Sequence, residues 1–294
     1  MNQYKSIAYP FITLILLILP CMLSAAENQS KPLSIVVSIQ PQAYFVKRIG
    51  GDRVLVNVLI HSGKNPATYA PTPVQISTLL RSRVYFSIGV PFENAFINKI
   101  KSLSKQIQVV DTRKGIKLRK MDGQNDSTGG GNDPHIWMSP ALVKIQAETI
   151  YKTLVKLDPK GEVKYRAGLN SFLNDLDLLD KKISLALAPV KGRSIFVFHP
   201  VFGYFADAYD LKQIAVEMGG KSPKGKTISE FIKKAKKDGV RVVFVQPQFD
   251  SSAASKIASA INGVVVPLDP LNENYITNME EMAEKIYEAL QEEI

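Results

Sequence analysis

Glu162-Val163-Lys164-Tyr165-Arg166-Ala167-Gly168-Leu169-Asn170-Ser171-Phe172-Leu173-Asn174-Asp175-Leu176-Asp177-Leu178-Leu179-Asp180-Lys181-Lys182-Ile183-Ser184-Leu185-Ala186-Leu187 is the stretch on which the architecture turns. Its apolar residues Tyr165, Leu169, Phe172, Leu176, Leu179, Ile183 and Leu187 recur at steps of three or four, which places them on one face of a helix. Apart from Gly168 no glycine or proline interrupts it, and Pro159 with Gly161 marks the break before it. A helix of this length, on the order of 35 Å, is long enough to reach across two domains.

On both sides of that helix, short apolar runs alternate with helical patterns. Before it, Leu33–Ser38, Val54–Ile60, Val84–Ile88 and Ile107–Val110 read as strands, with helices expected over Pro41–Ile49, Pro73–Arg81, Glu93–Ser102 and Pro140–Leu157. After it, Ser194–Phe198, Val240–Val245 and Val264–Leu268 read as strands, and Phe202–Tyr209, Thr227–Asp238, Ala253–Ile261 and Met279–Glu292 as helices. Strands separated by helices favour parallel sheets covered on both faces, so an α/β protein with two parallel-sheet lobes is expected. Met121–Asn132 breaks the rhythm: rich in Gly, Asp, Asn and Ser, it has too little apolar surface for a core and reads as a mobile loop.

The N-terminus bears on the compartment. Lys5, an apolar stretch from Ile7 to about Leu23, and the small residues Ser24-Ala25-Ala26 read as a signal peptide cleaved after Ala26; a retained membrane anchor is the alternative. Cys21 follows Pro20, where a lipid-anchored protein carries a small residue, so no lipid anchor is expected. Cleavage removes the only cysteine, and with it any disulfide, thiolate ligand or cysteine nucleophile. The formal charge is +10, but the lysines are dispersed, with pairs at Lys181-Lys182, Lys233-Lys234 and Lys236-Lys237 on amphipathic helices. Solvated helix faces account for them, and no nucleic-acid partner is expected.

Of three histidines, two sit in dense motifs: Asp133-Pro134-His135-Ile136-Trp137, and Phe198-His199-Pro200-Val201-Phe202-Gly203-Tyr204-Phe205. Ligands of open parallel sheets gather beyond the carboxyl ends of strands, and His199, Gln246 and Asp269 each lie just past such an end. Two histidines and an aspartate converging on one cleft make a nitrogen and oxygen site suited to zinc or manganese. Each also has a plainer reading: His135 as a loop residue before a helix starting near Ser139, His199 as a core histidine bonded to a carbonyl, and Asp269 before Pro270 as a turn residue.

These motifs, with Asn65-Pro66-Ala67-Thr68-Tyr69-Ala70-Pro71-Thr72-Pro73 and Leu268-Asp269-Pro270-Leu271, give a resemblance that covers essentially the whole mature chain. The sequence resembles the zinc and manganese receptors of bacterial ABC importers, the cluster A-I solute-binding proteins. The resemblance implies two α/β lobes related by a pseudo-repeat and joined by one long rigid helix, with a divalent ion held between them. It divides the chain into a signal peptide (1–26), an N-terminal lobe (27–158), a linking helix (159–189) and a C-terminal lobe (190–294). It also implies a periplasmic monomer that passes its ion to an inner-membrane permease, with His135, His199 and Asp269 as metal ligands and zinc ahead of manganese because His199 is not a glutamate.

The chain departs from the family's pattern where Pro-His-x-Tyr is expected, because it has Pro66-Ala67-Thr68-Tyr69 and a methyl group cannot coordinate. Water filling the fourth place is the first expectation, His61 reaching in from the same loop is a second, and a change of ligand to a metal chelate or an anion is a third. The Met121–Asn132 loop lacks the histidines of zinc-collecting loops, and Gln246 stands where many members have glutamate, which lowers the negative charge near the site. Gln246 reads as structural, or else as a donor to Asp269 or to a ligating histidine. Rival functions are a metal-dependent hydrolase, for which neither His-Glu-x-x-His nor Gly-x-Ser-x-Gly is present, and a metal-binding adhesin or storage protein, which differs only in partner.

Overall fold

The described residues form two four-stranded parallel sheets of the same strand order. The first has the order β2-β1-β3-β4, from β1 (Leu33–Val37), β2 (Val54–Val58), β3 (Val84–Ser87) and β4 (Gln108–Asp111). The second repeats it as β6-β5-β7-β8, from β5 (Ser194–Val197), β6 (Lys212–Ala215), β7 (Val242–Val245) and β8 (Val264–Pro267). The computed structural model describes residues 31–291 apart from 62, 123–130, 218–222, 224 and 250. The expected leader over 1–26, its cleavage after Ala26 and most of the Met121–Asn132 loop therefore lie outside the described residues.

The strands run slightly shorter than their apolar patterns, yet their ladders continue past the last strand residue. Ile60 donates to the Ser38 carbonyl, and Leu268 to that of Val245, so the expected ends at Ile60 and Leu268 keep strand-like pairing. Val240 instead closes the turn after the preceding helix by bonding to Ala235. One strand, β6, has no counterpart among the expected ones.

Nine helices occur among the described residues: α1 (Gln40–Gly50), α2 (Pro73–Leu80), α3 (Glu93–Leu103), α4 (Pro140–Leu157), α5 (Glu162–Leu187), α6 (Gly203–Ala208), α7 (Gly225–Lys237), α8 (Ser251–Ala260) and α9 (Tyr275–Gln291). Local chemistry sets several starts. Thr72 and Gln75 form a capping box at α2 with Pro73 in its first turn, and Pro140 opens α4 where its missing N–H costs nothing. No helix is long and apolar enough to cross a membrane among the described residues.

The quoted stretch is one helix of 26 residues, about 39 Å long, and its seven periodic apolar residues are all buried. It packs on α1 and α4 from the first half and on α9 from the second. Alternation along the strands sorts side chains between layers. Ile35, Val37, Val84, Phe86, Ile195, Val197, Val242 and Phe244 face a single core shared with α1, α4, α5 and α9. Val36 and Tyr85 face α2 and α3, whereas Phe196, Val243 and Val245 face α7 and α8. Tyr275, at the start of α9, reaches the first half and meets Phe45 edge-on at 4.9 Å. Pro32–Ile294 accordingly forms one compact unit.

Gly168 shows how close that packing is. A Cβ there would lie 2.6 Å from the Ile49 carbonyl oxygen and 2.7 Å from that of Arg48, so the end of α1 meets the backbone of α5 where only glycine leaves room.

Candidate metal centre

The carboxyl ends of β5, β6, β7 and β8 place His199, Glu217, Gln246 and Asp269 along one rim of the second sheet. His135 comes from the first half, on the loop leading into α4. These two imidazoles meet edge to face, with ring centroids 5.2 Å apart and planes at 84°.

Each imidazole is held by a buried carboxylate through Nδ1. Asp133, fully buried, accepts on Oδ1 both the backbone N–H of His135 at 2.9 Å and its Nδ1 at 2.7 Å, while its Oδ2 accepts from Arg119 at 3.0 Å. Burial pushes the Asp133 carboxyl up, but His135 and Arg119 more than offset it, so it stays ionised below the usual carboxylate range. His199 Nδ1 donates to Glu217 Oε2, its backbone N–H donates to Gln246 Oε1 at 3.2 Å, and its ring stacks on Phe249 at 4.8 Å. Burial lowers the His199 pKa against the opposing pull of Glu217, which favours the neutral ring. A carboxylate only accepts hydrogen bonds, so Nδ1–H faces it in each case and Nε2 is left for the cleft.

The ring geometry has a chemical meaning. With a zinc–nitrogen bond of about 2.0 Å the ion sits about 3.2 Å from each ring centroid, and a tetrahedral angle then sets two centroids about 5.2 Å apart. The separation of His135 and His199 has that value before any ion is added. Glu217 strengthens the case for a cation: it is 2% exposed, and among the described residues no hydrogen bond reaches its Oε1. A buried carboxylate behind an imidazole is stabilised when positive charge arrives on the far nitrogen.

The loop carrying His135 is tied to the other half. Trp137 Nε1 donates to the Pro270 carbonyl at 2.8 Å, and Tyr275 donates to the Trp137 carbonyl at 2.7 Å. Tyr204 donates to the Asp133 carbonyl at 2.9 Å and accepts from the Arg119 backbone at 3.0 Å. Arg119 also pairs with Asp122 and Asp207 at 3.0 Å each, and Gly203 leaves room for its guanidinium, since a Cβ there would overlap Nη1.

The other expected site residues fall in different places. His135, His199 and Ala67 line one cleft of about 330 Å³, together with Gln246 and Gln248. Asp269 does not line it; its Oδ1 accepts from Gln248 Nε2 at 2.6 Å and from the Leu271 N–H at 3.0 Å, which leaves Oδ2 for another partner. His61 lines a separate pocket with Lys64, Tyr69 and Gln75. Among the described residues, no three His, Cys, Asp or Glu side chains converge as a ready metal cluster. Gln246 supports the His199 backbone, and Gln248, not Gln246, donates to Asp269. Glu217 is the residue that sequence reasoning missed, although its signal, an acidic residue directly after Ile214-Ala215-Val216, is the one that found Asp269.

Residues 35–289 match the family described as zinc-uptake complex component A, periplasmic. A solved ZnuA deletion mutant with zinc bound is 38% identical, with a TM-score of 0.83 over 88% of this chain and 98% of its own. The high-affinity zinc uptake system protein ZnuA of Bacillus subtilis is 26% identical over 260 residues, 84% of this chain and 81% of that protein. The manganese ABC transporter substrate-binding lipoprotein PsaA of Streptococcus pneumoniae is 25% identical over 276 residues, 89% of this chain and 87% of that protein.

Proposed function

The chain belongs to the zinc-uptake complex component A, periplasmic family, and on that premise we propose that it captures a divalent transition metal between Nε2 of His135 and Nε2 of His199. It is a solute-binding protein of an ABC importer and delivers the metal to the membrane permease. The observation that carries the site is the pair of imidazoles, each fixed through Nδ1 by a buried carboxylate, at the centroid spacing of two ligands on one tetrahedral ion. Two neutral nitrogens favour zinc over manganese, which prefers oxygen donors. Asp269, held by Gln248 and the Leu271 N–H outside the cleft lining, and His61, in its own pocket, are not part of the proposed coordination set.

Capture requires no general base, and the reading is of a receptor, not an enzyme. It acts as a monomer on the far side of the inner membrane, after removal of a leader behind Ala26, and has no nucleic-acid partner. Lobes 27–158 and 190–294 with the linking helix 159–189 are its working units.

Zinc at a hundred times Kd stabilises the folded form by about 2.7 kcal/mol, a rise in Tm of about 5–10 °C for a chain of this size. His135→Ala and His199→Ala abolish that rise, manganese gives a smaller one, and His61→Ala leaves it intact. An unchanged melting curve in saturating zinc rejects the metal site.

A further inference from the structure

The cleft is larger and more neutral than a bare ion requires. Its volume is about 330 Å³, whereas a single water claims about 30 Å³ in the liquid, and small-molecule sites begin at about 300 Å³. Where the family's pattern puts an imidazole, Ala67 contributes only a methyl group to the wall. Asp269 is turned to Gln248 and Leu271, so the described residues present two imidazole nitrogens and no carboxylate to the cavity.

Charge leads the same way. Among the described residues, no Asp, Glu, Lys or Arg lines the cleft. Behind the imidazoles Asp133 is paired with Arg119, which among the described residues leaves Glu217 to oppose the two charges of a dication. The wall instead carries amides: Asn94 and Asn132 are exposed at the mouth, and Gln246 is 1% exposed within. Gln246 Nε2 has no hydrogen-bond partner among the described residues, although its Oε1 is used by His199. A buried amide donor without an acceptor is costly unless a ligand supplies one. Trp137 and Phe249 add flat apolar walls beside the two histidines.

We propose that the cargo is a divalent metal already chelated by a small carboxylate ligand of the size of citrate or free histidine. The two Nε2 atoms take two coordination positions on the metal, the chelator supplies the others, and one of its carboxylate oxygens accepts from Gln246 Nε2. The chelator's negative charge balances what Glu217 leaves over. This inference rests on the metal-receptor reading and narrows it to the form in which the metal arrives.

The test uses the purified protein with zinc chloride, zinc citrate, zinc with L-histidine, and each chelator alone, compared at matched free zinc by calorimetry and native mass spectrometry. A chelate binds at least about ten-fold tighter than free zinc, and the bound mass includes both zinc and chelator. Gln246→Glu keeps the acceptor for the His199 N–H but sets a carboxylate against the chelator, so chelate binding falls about ten-fold or more while free zinc is held more tightly. Ala67→His reverses the preference by adding a nitrogen ligand and filling the cleft. Affinity that tracks free zinc alone, with only zinc in the bound mass, overturns the chelate and leaves the metal receptor standing. Binding of no zinc species, with His135→Ala and His199→Ala indistinguishable from the parent, overturns both.

Discussion

Replacing Glu217 by glutamine separates a residue that tunes a metal ligand from one that merely fills space. The amide matches the carboxylate in shape and still accepts the Nδ1–H of His199 through its own oxygen, so the ring keeps its orientation. The charge is what disappears. Measured across the imidazole, the carboxylate lies about 6 Å from an ion on Nε2, and at an effective dielectric of about 20 a dication and a unit charge attract by on the order of 5 kcal/mol. That figure is a ceiling, because the unloaded site also relaxes and hydrates. Loss of such a partner typically weakens metal binding about 10–100-fold, or about 1.4–2.7 kcal/mol, and that range is the expectation here. The metal-free protein responds in the opposite direction. Glu217 is 2% exposed and its Oε1 has no described partner, so removing its charge relieves desolvation and the Tm without metal holds or rises. Calorimetric zinc titration alongside metal-free melting reads both effects. Unchanged zinc affinity in Glu217→Gln refutes the reasoning, and a lower metal-free Tm with proportionate loss of zinc binding assigns Glu217 to the fold alone.

Two further predictions concern the scaffold. Gly168→Ala gains about 1 kcal/mol of helix propensity but drives a methyl into the carbonyls of Arg48 and Ile49, an overpacking worth about 1–3 kcal/mol; a net fall in Tm of a few degrees is expected, and an increase shows that α1 yields there. At the α4–α5 junction Asp158 accepts from Arg53 and from Tyr165 at 2.7 Å each; burial raises its pKa, but these bonds outweigh it and hold it below 3.8. Its stabilisation is thus complete above pH 3.8 and is lost as pH falls through the lower folded value, so Asp158→Asn and the parent converge in Tm in strong acid and diverge above it. Tyr165, pushed up to about 12 by burial and by Asp158, gives the alkaline counterpart, with stability lost as pH climbs from 10 towards 12.

The sequence carried the frame through apolar periodicity, which is why α4 and α5 have their expected limits and seven of the eight strands stand where the patterns put them. It failed at β6. Lys212-Gln213-Ile214-Ala215 is an edge strand, half exposed, and lacks the run of branched residues that marks the buried strands. Missing β6 meant missing what lies beyond its carboxyl end, and so Glu217 went unread although the same rule pointed to His199 and Asp269. Arg119 was illegible for another reason: it is one of three cations in four residues, and no pattern in Lys117-Leu118-Arg119-Lys120 says which of them turns inward to Asp133. Long-range pairings of this kind depend on the assembled halves, not on local propensity. Gln246 and Gln248 are a milder case, two residues apart on one loop, where only three-dimensional placement decides which reaches Asp269.

The shared core also constrains how the receptor loads. A protein whose lobes close around cargo has to bring its ligands together at the moment of binding, at a cost in ordering. Here α1, α5 and α9 bury their apolar faces in a common core, and Trp137, Tyr204, Tyr275 and Arg119 bond across the halves next to the cleft. His135 and His199 therefore keep their spacing without cargo, and the free energy of binding goes into coordination instead of closure. A preformed pair of nitrogens discriminates poorly among first-row metals by shape alone, since affinity follows donor type and the intrinsic order of the ions. Selection must then come from whatever completes the coordination shell. On the proposed site, with Ala67 in place of a ligand and Asp269 held by Gln248, those donors would come from the cargo or from water, and the chemistry of the cleft beyond the histidines would set the choice of cargo.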